Sequence, residues 1–193
     1  MKIRVPAFII DPYGDVIALN PLILAFYQTS KEQLDKSELL SRYNMMRLLF
    51  SPEFSLHRSL MGKSWYSFAH QTIHIFRAMN LRYRTSPYFK KLVTEMSVEY
   101  PLFLSYWQGS PFIQRDQNHF MDNSRFSYQL FNINFEVISS TITSATPEGE
   151  LLLYSFIPLT SEASWAFDKL LKIVGTGLIR LSLWPKNGYN MPE

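Results

Sequence analysis

The stretch PAFIIDPYGDVIALN, residues 6–20, decides the fold. Two short apolar runs, residues 6–10 and 16–19, flank the tetrapeptide Asp11-Pro12-Tyr13-Gly14. Asp at the first position, Pro at the second and Gly at the fourth form the pattern of a type I turn. The stretch therefore predicts a β-hairpin near the start of the chain.

The residues that follow the hairpin predict helices. Asn20-Pro21 is typical of a helix N-cap followed by Pro at the first helical position. Ser51-Pro52 and Ser86-Pro87 are further helix starts, Pro101 begins another helix, and the polar residues 28–36 predict a loop or a weak helix. Large side chains then recur at spacings of three and four: Met61, Trp65, Phe68, Thr72, Phe76, Met79 and Tyr83. That stripe predicts one continuous helix of roughly 25 residues, about 37 Å long.

After Gly109 the apolar residues recur with a period of two, which predicts strands. The alternating residues are Phe126, Tyr128 and Leu130, then Phe131, Ile133, Phe135 and Val137. A turn at residues 147–149 leads to an apolar strand over residues 151–157. The final helix starts at Ser161 or Ser164 and ends at Gly175. Beyond it, Ile179, Leu181 and Leu183 alternate with polar residues and suggest an added edge strand.

This order of elements predicts an α+β fold, an antiparallel sheet covered by a large helical insertion. The hairpin must pair with strands more than about ninety residues later, and this pairing closes the sheet around the helices. A PAS-like fold has the same logic. We expect one PAS-like domain over residues 1–175, and a C-terminal extension, a possible edge strand, over residues 176–193.

The composition favours a globular protein, and its many aromatic side chains can fill a core or line an apolar pocket. Apolar residues make up 47% of the chain and aromatic residues 16%, and the formal net charge is only +3. The absence of cysteine excludes disulfides and thiolate metal sites, and fits a reducing cytoplasm. No signal peptide opens the chain, and no apolar run is long enough for a membrane span. Glycine-rich phosphate loops and nucleophile elbows are absent from the sequence, so we expect neither an enzyme nor a metal or cofactor site.

Several stretches resemble the ligand-binding domain of MmyB-like transcription regulators. The opening hairpin ends in Asn, as in that family, and NMMRLLF supplies Asn44, Arg47 and Phe50. A Trp-led helix with a Phe-Arg pair follows, then a Phe-X-X-X-Trp helix, and LLLYSFIPLTSEASWAFDKLL resembles the family's end. The residues of those two helices are Trp65, Phe76, Arg77, Phe103 and Trp107. The resemblance spans about residues 5 to 173.

Three features depart from the family's pattern. Tyr100 stands where Ser is usual, and MDNSR, residues 121–125, replaces a His-Pro…Gly segment. Family members carry an N-terminal helix-turn-helix of the Xre type, and this chain shows none. We therefore expect contact with DNA only through a helix-turn-helix domain absent from this chain.

The resemblance implies a bacterial, cytoplasmic sensor of transcription regulation with a hydrophobic cavity between sheet and helices. A small apolar or fatty-acid-like molecule would occupy the cavity, since burying about twelve methylenes contributes roughly 10 kcal/mol before the costs of ordering. Arg47 and Arg77 are the candidate partners of a ligand carboxylate. The full set of candidate ligand-binding residues is Arg47, Trp65, Phe68, Phe76, Arg77, Tyr83, Phe103, Trp107, Phe126 and Tyr128.

Each of these interpretations has a simpler alternative. The aromatic stripe is also what an ordinary filled core requires, in which case the chain is a structural or dimerisation module without a ligand. Arg47 and Arg77 could instead pair with a carboxylate such as Glu53 or Glu95. His70 and His74 share a helix face, but a third metal ligand does not follow at helical spacing, so we expect polar surface there.

Overall fold

The computed structural model describes residues 3–109, 125–146 and 149–182. Leu183, the turn residues Pro147 and Glu148, and residues 121–124 of the departing segment lie outside this part of the chain. The strands are β1 (Ala7–Ile10), β2 (Val16–Leu19), β3 (Arg125–Leu130), β4 (Ile133–Thr146), β5 (Gly149–Pro158) and β6 (Ile179–Arg180). The helices are α1 (Pro21–Phe26), α2 (Lys31–Asp35), α3 (Met45–Phe50), α4 (Ser55–Met61), α5 (Ser64–Met79), α6 (Pro87–Glu99), α7 (Pro101–Gly109) and α8 (Ser161–Val174). Short 3₁₀ turns connect some of these helices, at Leu40–Tyr43, Pro52–Phe54 and Leu81–Tyr83.

The described strands form one antiparallel sheet in the order β3-β4-β5-β1-β2-β6. The decisive pairing joins the beginning of the chain to its later part, with Ala7 opposite Ser155 and Ile10 opposite Leu152. The predicted α+β class, and the predicted pairing of the hairpin with distant strands, are therefore confirmed. The two-residue strand β6 adds to the edge of the sheet by pairing with β2.

The turn of the β1–β2 hairpin has the predicted chemistry. The Gly14 amide donates to the Asp11 carbonyl at 2.9 Å, and Gly14 has φ +77°. The Asp11 carboxylate accepts hydrogen bonds from the amides of Tyr13 and Asp15, at 2.9 and 3.0 Å. A side chain on Gly14 would approach the Met45 side chain to 3.2 Å and the Phe76 ring to 3.3 Å. The turn is thus both locally stabilised and packed against the helices.

Asn44 joins this turn to the start of α3. Its side-chain amide donates to the Tyr13 carbonyl and to the Asp15 carboxylate, both at 2.9 Å, while its oxygen accepts from the Met46 amide. Asn44 is fully buried. Because each of these polar groups has a partner, the buried amide fixes the hairpin relative to α3 without the cost of an unpaired group.

The prediction of one continuous helix across residues 61–83 is wrong. Gly62 has φ +54° and separates α4 from α5, which ends at Met79. The Asn80 side chain then donates to the Phe76 carbonyl at 2.8 Å, a local bond that competes with further helix. The stripe of large residues continues across the break, since Met61 and Trp65 are both buried, so periodicity alone did not reveal it.

Two other local predictions need correction. Phe131 does not extend a strand: Phe131 and Asn132 have φ of 54° and 62° and form the turn between β3 and β4. Positive φ at two successive residues matches the right-handed twist of a two-residue hairpin. The cap of α8 is Thr160 rather than Ser161 or Ser164, because the Thr160 hydroxyl accepts from the Ala163 amide at 3.2 Å.

The sheet has two different faces. The inner face, defined here by Phe8, Tyr154, Phe156, Phe126 and Tyr128, packs against the helices and is buried. The outer face carries the alternate residues of the same strands. Its exposure to solvent differs from place to place. Ala7 on β1 and Ala18 on β2 are buried, whereas Ile142 on β4 is 61% exposed. The main core therefore lies between the inner face and the helical insertion.

Candidate ligand-binding site

The space between the inner face and the helices contains a small cavity. Its volume is about 10 Å³, close to the least that one water molecule needs. Strands, the end of α1 and three further helices surround this inner cavity. The residues that line it are Phe8, Tyr27, Met45, Leu48, Leu49, His57, Phe68, Thr72 and Tyr154. A fatty-acid-like molecule would therefore have to displace side chains in order to enter.

His57 is the most polar group beside the inner cavity. Its Nδ1 lies 3.1 Å from the Tyr128 hydroxyl, and that hydroxyl donates its proton to the Phe26 carbonyl at 2.6 Å. The Tyr128 oxygen must therefore accept from His57, which places the ring proton on Nδ1 and leaves Nε2 as an acceptor. Burial, with a smaller contribution from Arg58, lowers the pKa of His57 to about 3. The imidazole is consequently neutral near pH 7.

The lining of the inner cavity is otherwise apolar or already bonded. The Thr72 hydroxyl donates to the Phe68 carbonyl at 2.8 Å. Burial raises the pKa of Tyr27 well above its usual value, so that phenol is also uncharged. The described lining residues include no charged side chain. An ionised carboxylate inside the cavity would have no cation to offset its loss of hydration.

Of the ten candidate residues, three belong to the aromatic cluster beside this cavity. Phe68 lines the cavity, and its ring centroid is 4.9 Å from that of Phe126. Tyr128 stacks on Phe26 at 4.2 Å and holds His57. These residues are buried, and their ability to contact a ligand stays a prediction.

Four other candidates form a second aromatic cluster among the helices. Phe50 lies between Trp65 and Phe103, with ring centroids 6.0 and 5.7 Å away. Trp107 stacks on Phe103 at 5.5 Å and contacts Phe76 at 6.1 Å. The buried Trp65 indole nitrogen has no hydrogen-bond partner within the described residues. The periodicity thus identified core positions, but the structure distributes them over two clusters.

Arg47 is buried, and its guanidinium donates hydrogen bonds to other groups of the protein. Its Nε donates to Glu53 at 2.6 Å, and its Nη1 donates to the carbonyls of Leu34 and Arg42 at 2.9 and 2.5 Å. Its Nη2 lies 3.4 Å from the Gln33 carbonyl. Arg47 therefore joins α3 to α2 and to the 3₁₀ turns on either side of α3, and its bond to Glu53 agrees with the alternative interpretation.

Arg77 and Tyr83 lie near other aromatic rings. The Arg77 guanidinium is 4.6 Å from the Trp107 ring centroid, a cation–π distance. Burial, and then the charge of Arg84, lower the pKa of Arg77. The Tyr83 ring is 5.1 Å from the Tyr13 ring, beside the hairpin turn. Neither residue lines the inner cavity.

Most residues around the inner cavity were not among the candidates. Met45, Leu48 and Leu49 come from α3, in which every residue is buried. The five apolar residues of MMRLLF, which surround the helix except at Arg47, were the available signal, since a helix that is apolar nearly all round lies inside the protein. His57 gave no comparable signal, because a single histidine on a short helix does not reveal its burial.

A larger pocket lies on the outer face of the sheet. This outer groove has a volume of about 360 Å³, within the range of small-molecule sites. Its lining comes from β1, β2, β5 and the segment after α8. The residues are Ile3, Ala7, Phe8, Ile9, Ala18, Leu19, Asn20, Leu153, Thr176, Gly177 and Leu178. None of the ten candidate residues contributes to this groove.

The described ranges contain neither a metal-binding cluster nor a helix that could cross a membrane. Among residues 3–109, 125–146 and 149–182, no group of three or more His, Cys, Asp or Glu side chains is arranged to hold a metal ion. Across those residues, the helices are also too short or too polar to cross a bilayer.

Comparison with protein families identifies the chain. The model of the MmyB-like transcription regulator ligand-binding domain matches residues 3–170, which is most of the sequence. The chain belongs to this family, and it is thus a ligand-binding domain of the kind found in MmyB-like transcription regulators. No helix-turn-helix family model matches it. A search of the curated proteins found no match.

Proposed function

We propose that the chain is a sensor domain that binds a small apolar or fatty-acid-like molecule between the inner face and the helices. The observation that supports this most is the inner cavity, which lies under the α3 segment that carries the family motif. Adaptable side chains such as Met45 line it, and methionine repacks at low cost. The proposal includes a PAS-like classification, a cytoplasmic location and binding without catalysis.

Binding at this site requires the cavity to expand. A ligand can shift a protein between two states only if it binds one of them more tightly. In the closed state the cavity holds about 10 Å³, so the binding state must have α5 or α3 displaced from the sheet. We propose that α5 moves, because it contributes Phe68 and Thr72 to the cavity and also carries Trp65 and Phe76 into the helical cluster.

The polar end of the ligand would meet His57 and not an arginine. The Nε2 lone pair of His57 can accept a hydrogen bond from a hydroxyl or from an un-ionised carboxylic acid. Arg47 is already bonded to Glu53 and to backbone carbonyls. We therefore propose that the inner site prefers a neutral head group, so that an alcohol binds better than the carboxylate of equal chain length.

Native mass spectrometry, with lipid analysis after denaturing extraction, tests the proposed function. We expect a co-purifying amphiphile, or a raised melting temperature when dodecanol is added. Thr72→Met fills the cavity and should reduce the dodecanol shift by at least half. Ile142→Thr, on the exposed outer face, is the matched control and should leave the shift unchanged. An unliganded mass, together with no dodecanol shift in the unaltered protein, would refute the sensor proposal.

The second candidate function is a structural or dimerisation module. The small volume of the inner cavity favours it, because a filled core leaves no room for a ligand. Analytical ultracentrifugation distinguishes this candidate. A homodimer that neither carries nor binds an amphiphile would support it, whereas ligand-dependent stability would support the sensor.

A further inference from the structure

The outer groove is built around two alanines on neighbouring strands. Ala7 lies on β1 and Ala18 on β2, both are buried, and both point to the outer face. Alanine is depleted in strands, where larger β-branched residues pack better. Ile9 lies directly opposite Ala18 and Leu153 directly opposite Ile9, so larger side chains stand beside the small ones. The result is a hollow in the sheet surface with apolar walls.

Residues that are far apart in the sequence enclose this hollow. Ile3 borders it from the start of the described chain, and residues 176–178 border it from beyond α8. The segment after α8 is held in place by β6, since the Leu181 amide donates to the Ile17 carbonyl at 3.0 Å. The groove is therefore a half-open hollow of about 360 Å³ on the sheet face.

The interior of the groove is mostly apolar, and Asn20 and Thr176 are its polar lining residues. The Asn20 side chain lines it, but its oxygen accepts from the amides of Ala7 and Ile23, each at 3.1 Å. Its nitrogen donates to the Val5 carbonyl at 2.7 Å. These bonds use the Asn20 oxygen and one of its two N–H groups, so the amide serves mainly to hold β1, β2 and α1 together. The groove consequently fits an alkyl chain.

A cation stands at the edge of the groove. Arg180 on β6 is directly opposite Ala18, and residues directly opposite on neighbouring strands point to the same face. The Arg180 side chain thus lies on the outer face, next to Ala18 at the base of the hollow. It is exposed, and within the described residues it forms no ion pair.

We propose that the outer groove binds a single-chain anionic amphiphile, with its alkyl chain in the hollow and its carboxylate on Arg180. The charge of the rim matches the head group and the apolar interior matches the tail. This site goes beyond the proposed function, because it lies on the opposite face of the sheet from the inner cavity. It takes the charged form of a fatty acid, which the inner cavity does not favour.

Calorimetric titration of the full chain with sodium dodecanoate below its micelle concentration tests this site. Ala18→Leu fills the hollow and should weaken dodecanoate binding at least tenfold. Arg180→Gln removes the charge and should weaken dodecanoate binding about threefold to fivefold, as expected for an exposed ion pair. The same Arg180→Gln change should leave dodecanol binding unaffected. Melting temperatures check that both variants fold.

The controls separate this proposal from the inner site. Thr72→Met, which fills the inner cavity, should leave dodecanoate binding unchanged, and Arg82→Gln serves as a matched exposed arginine. Dodecanoate affinity that is insensitive to both Ala18→Leu and Arg180→Gln would overturn the outer site while leaving the inner one intact. Absence of dodecanoate binding, or binding only to anionic phosphatidylglycerol vesicles, would overturn it as well.

Discussion

His57 shows how one buried residue links stability to pH. The ring is 2% exposed, is neutral, and donates to Tyr128, which in turn donates to the Phe26 carbonyl. This chain of bonds joins α4, β3 and the end of α1 without using a charge. Protonation would place a cation in that site, next to Arg58, and would leave Nε2–H needing an acceptor.

We expect the protein to lose stability as the pH falls below about 6.5, the pKa of histidine in an unfolded chain. The folded-state pKa of His57 is depressed to about 3, so in this window the unfolded state binds a proton and the folded state does not. The contribution of His57 to the free energy of unfolding is fully present above pH 6.5. It should fall by roughly 1 kcal/mol per pH unit between pH 6.5 and 3. Urea unfolding at a series of pH values measures this slope.

His57→Asn provides the variant for this test, because its amide can still donate to Tyr128 but does not titrate. It should reduce the slope below pH 6.5. If the unfolding free energy of the unaltered protein and that of His57→Asn change equally with pH, His57 is not the group responsible.

At the scale of elements, the hairpin turn and the helix that it contacts act as one unit. The turn is held by Asp11, joined to α3 through Asn44, and packed through Gly14 against Met45 and Phe76. The turn is therefore coupled to α5 as well as to α3. A change in the position of either helix must alter the contacts of the hairpin.

Gly14→Ala tests this coupling. A residue with a side chain is strained at φ +77°, and its Cβ would press on Met45 and Phe76. We expect a loss of about 2 kcal/mol, of which about half reflects the backbone and the rest the contacts. Gly109→Ala is the matched control, since a Cβ there meets nothing within 4 Å. Equal unfolding free energies for the two variants in urea would contradict the coupling.

The same elements show what the sequence could and could not predict. Turns and caps depend on neighbouring residues, so Asp11 to Gly14, Asn20-Pro21 and Ser86-Pro87 were predicted correctly. The break at Gly62 was not, because the core stripe resumes in phase on its far side. The partners of Arg47 include carbonyls of α2 and of a 3₁₀ turn, which folding brings together and no local pattern encodes. The candidate residues were likewise mostly core residues, but whether they surround one cavity depends on packing between helices.

At the scale of the whole molecule, β1 and β5 hold the sheet together. They are central strands, and the residues that pair come from opposite ends of the described chain. The five-residue helix α2 has one buried residue and is attached mainly through the bonds that Arg47 donates to its carbonyls, so it has far fewer contacts than the central strands. The molecule should therefore contain regions of very different local stability.

Hydrogen exchange followed by mass spectrometry measures this difference. We expect the amides of β1 and β5 to exchange together and only through global unfolding, because separating one strand exposes the other. The amides of α2 should exchange at least a hundred times faster, through local opening. Exchange of β1 well ahead of β5 would show that the sheet does not close as one cooperative unit.

The pairing of Ala7 with Ser155 also has a consequence for biosynthesis. At about 5–20 residues per second, a ribosome adds the roughly 150 intervening residues in about 7 to 30 s. Throughout that interval the nascent hairpin has an open, apolar edge that can pair with other chains. Production of this domain should consequently depend on translation speed and on chaperones that shield an emerging strand, more than its final stability would suggest.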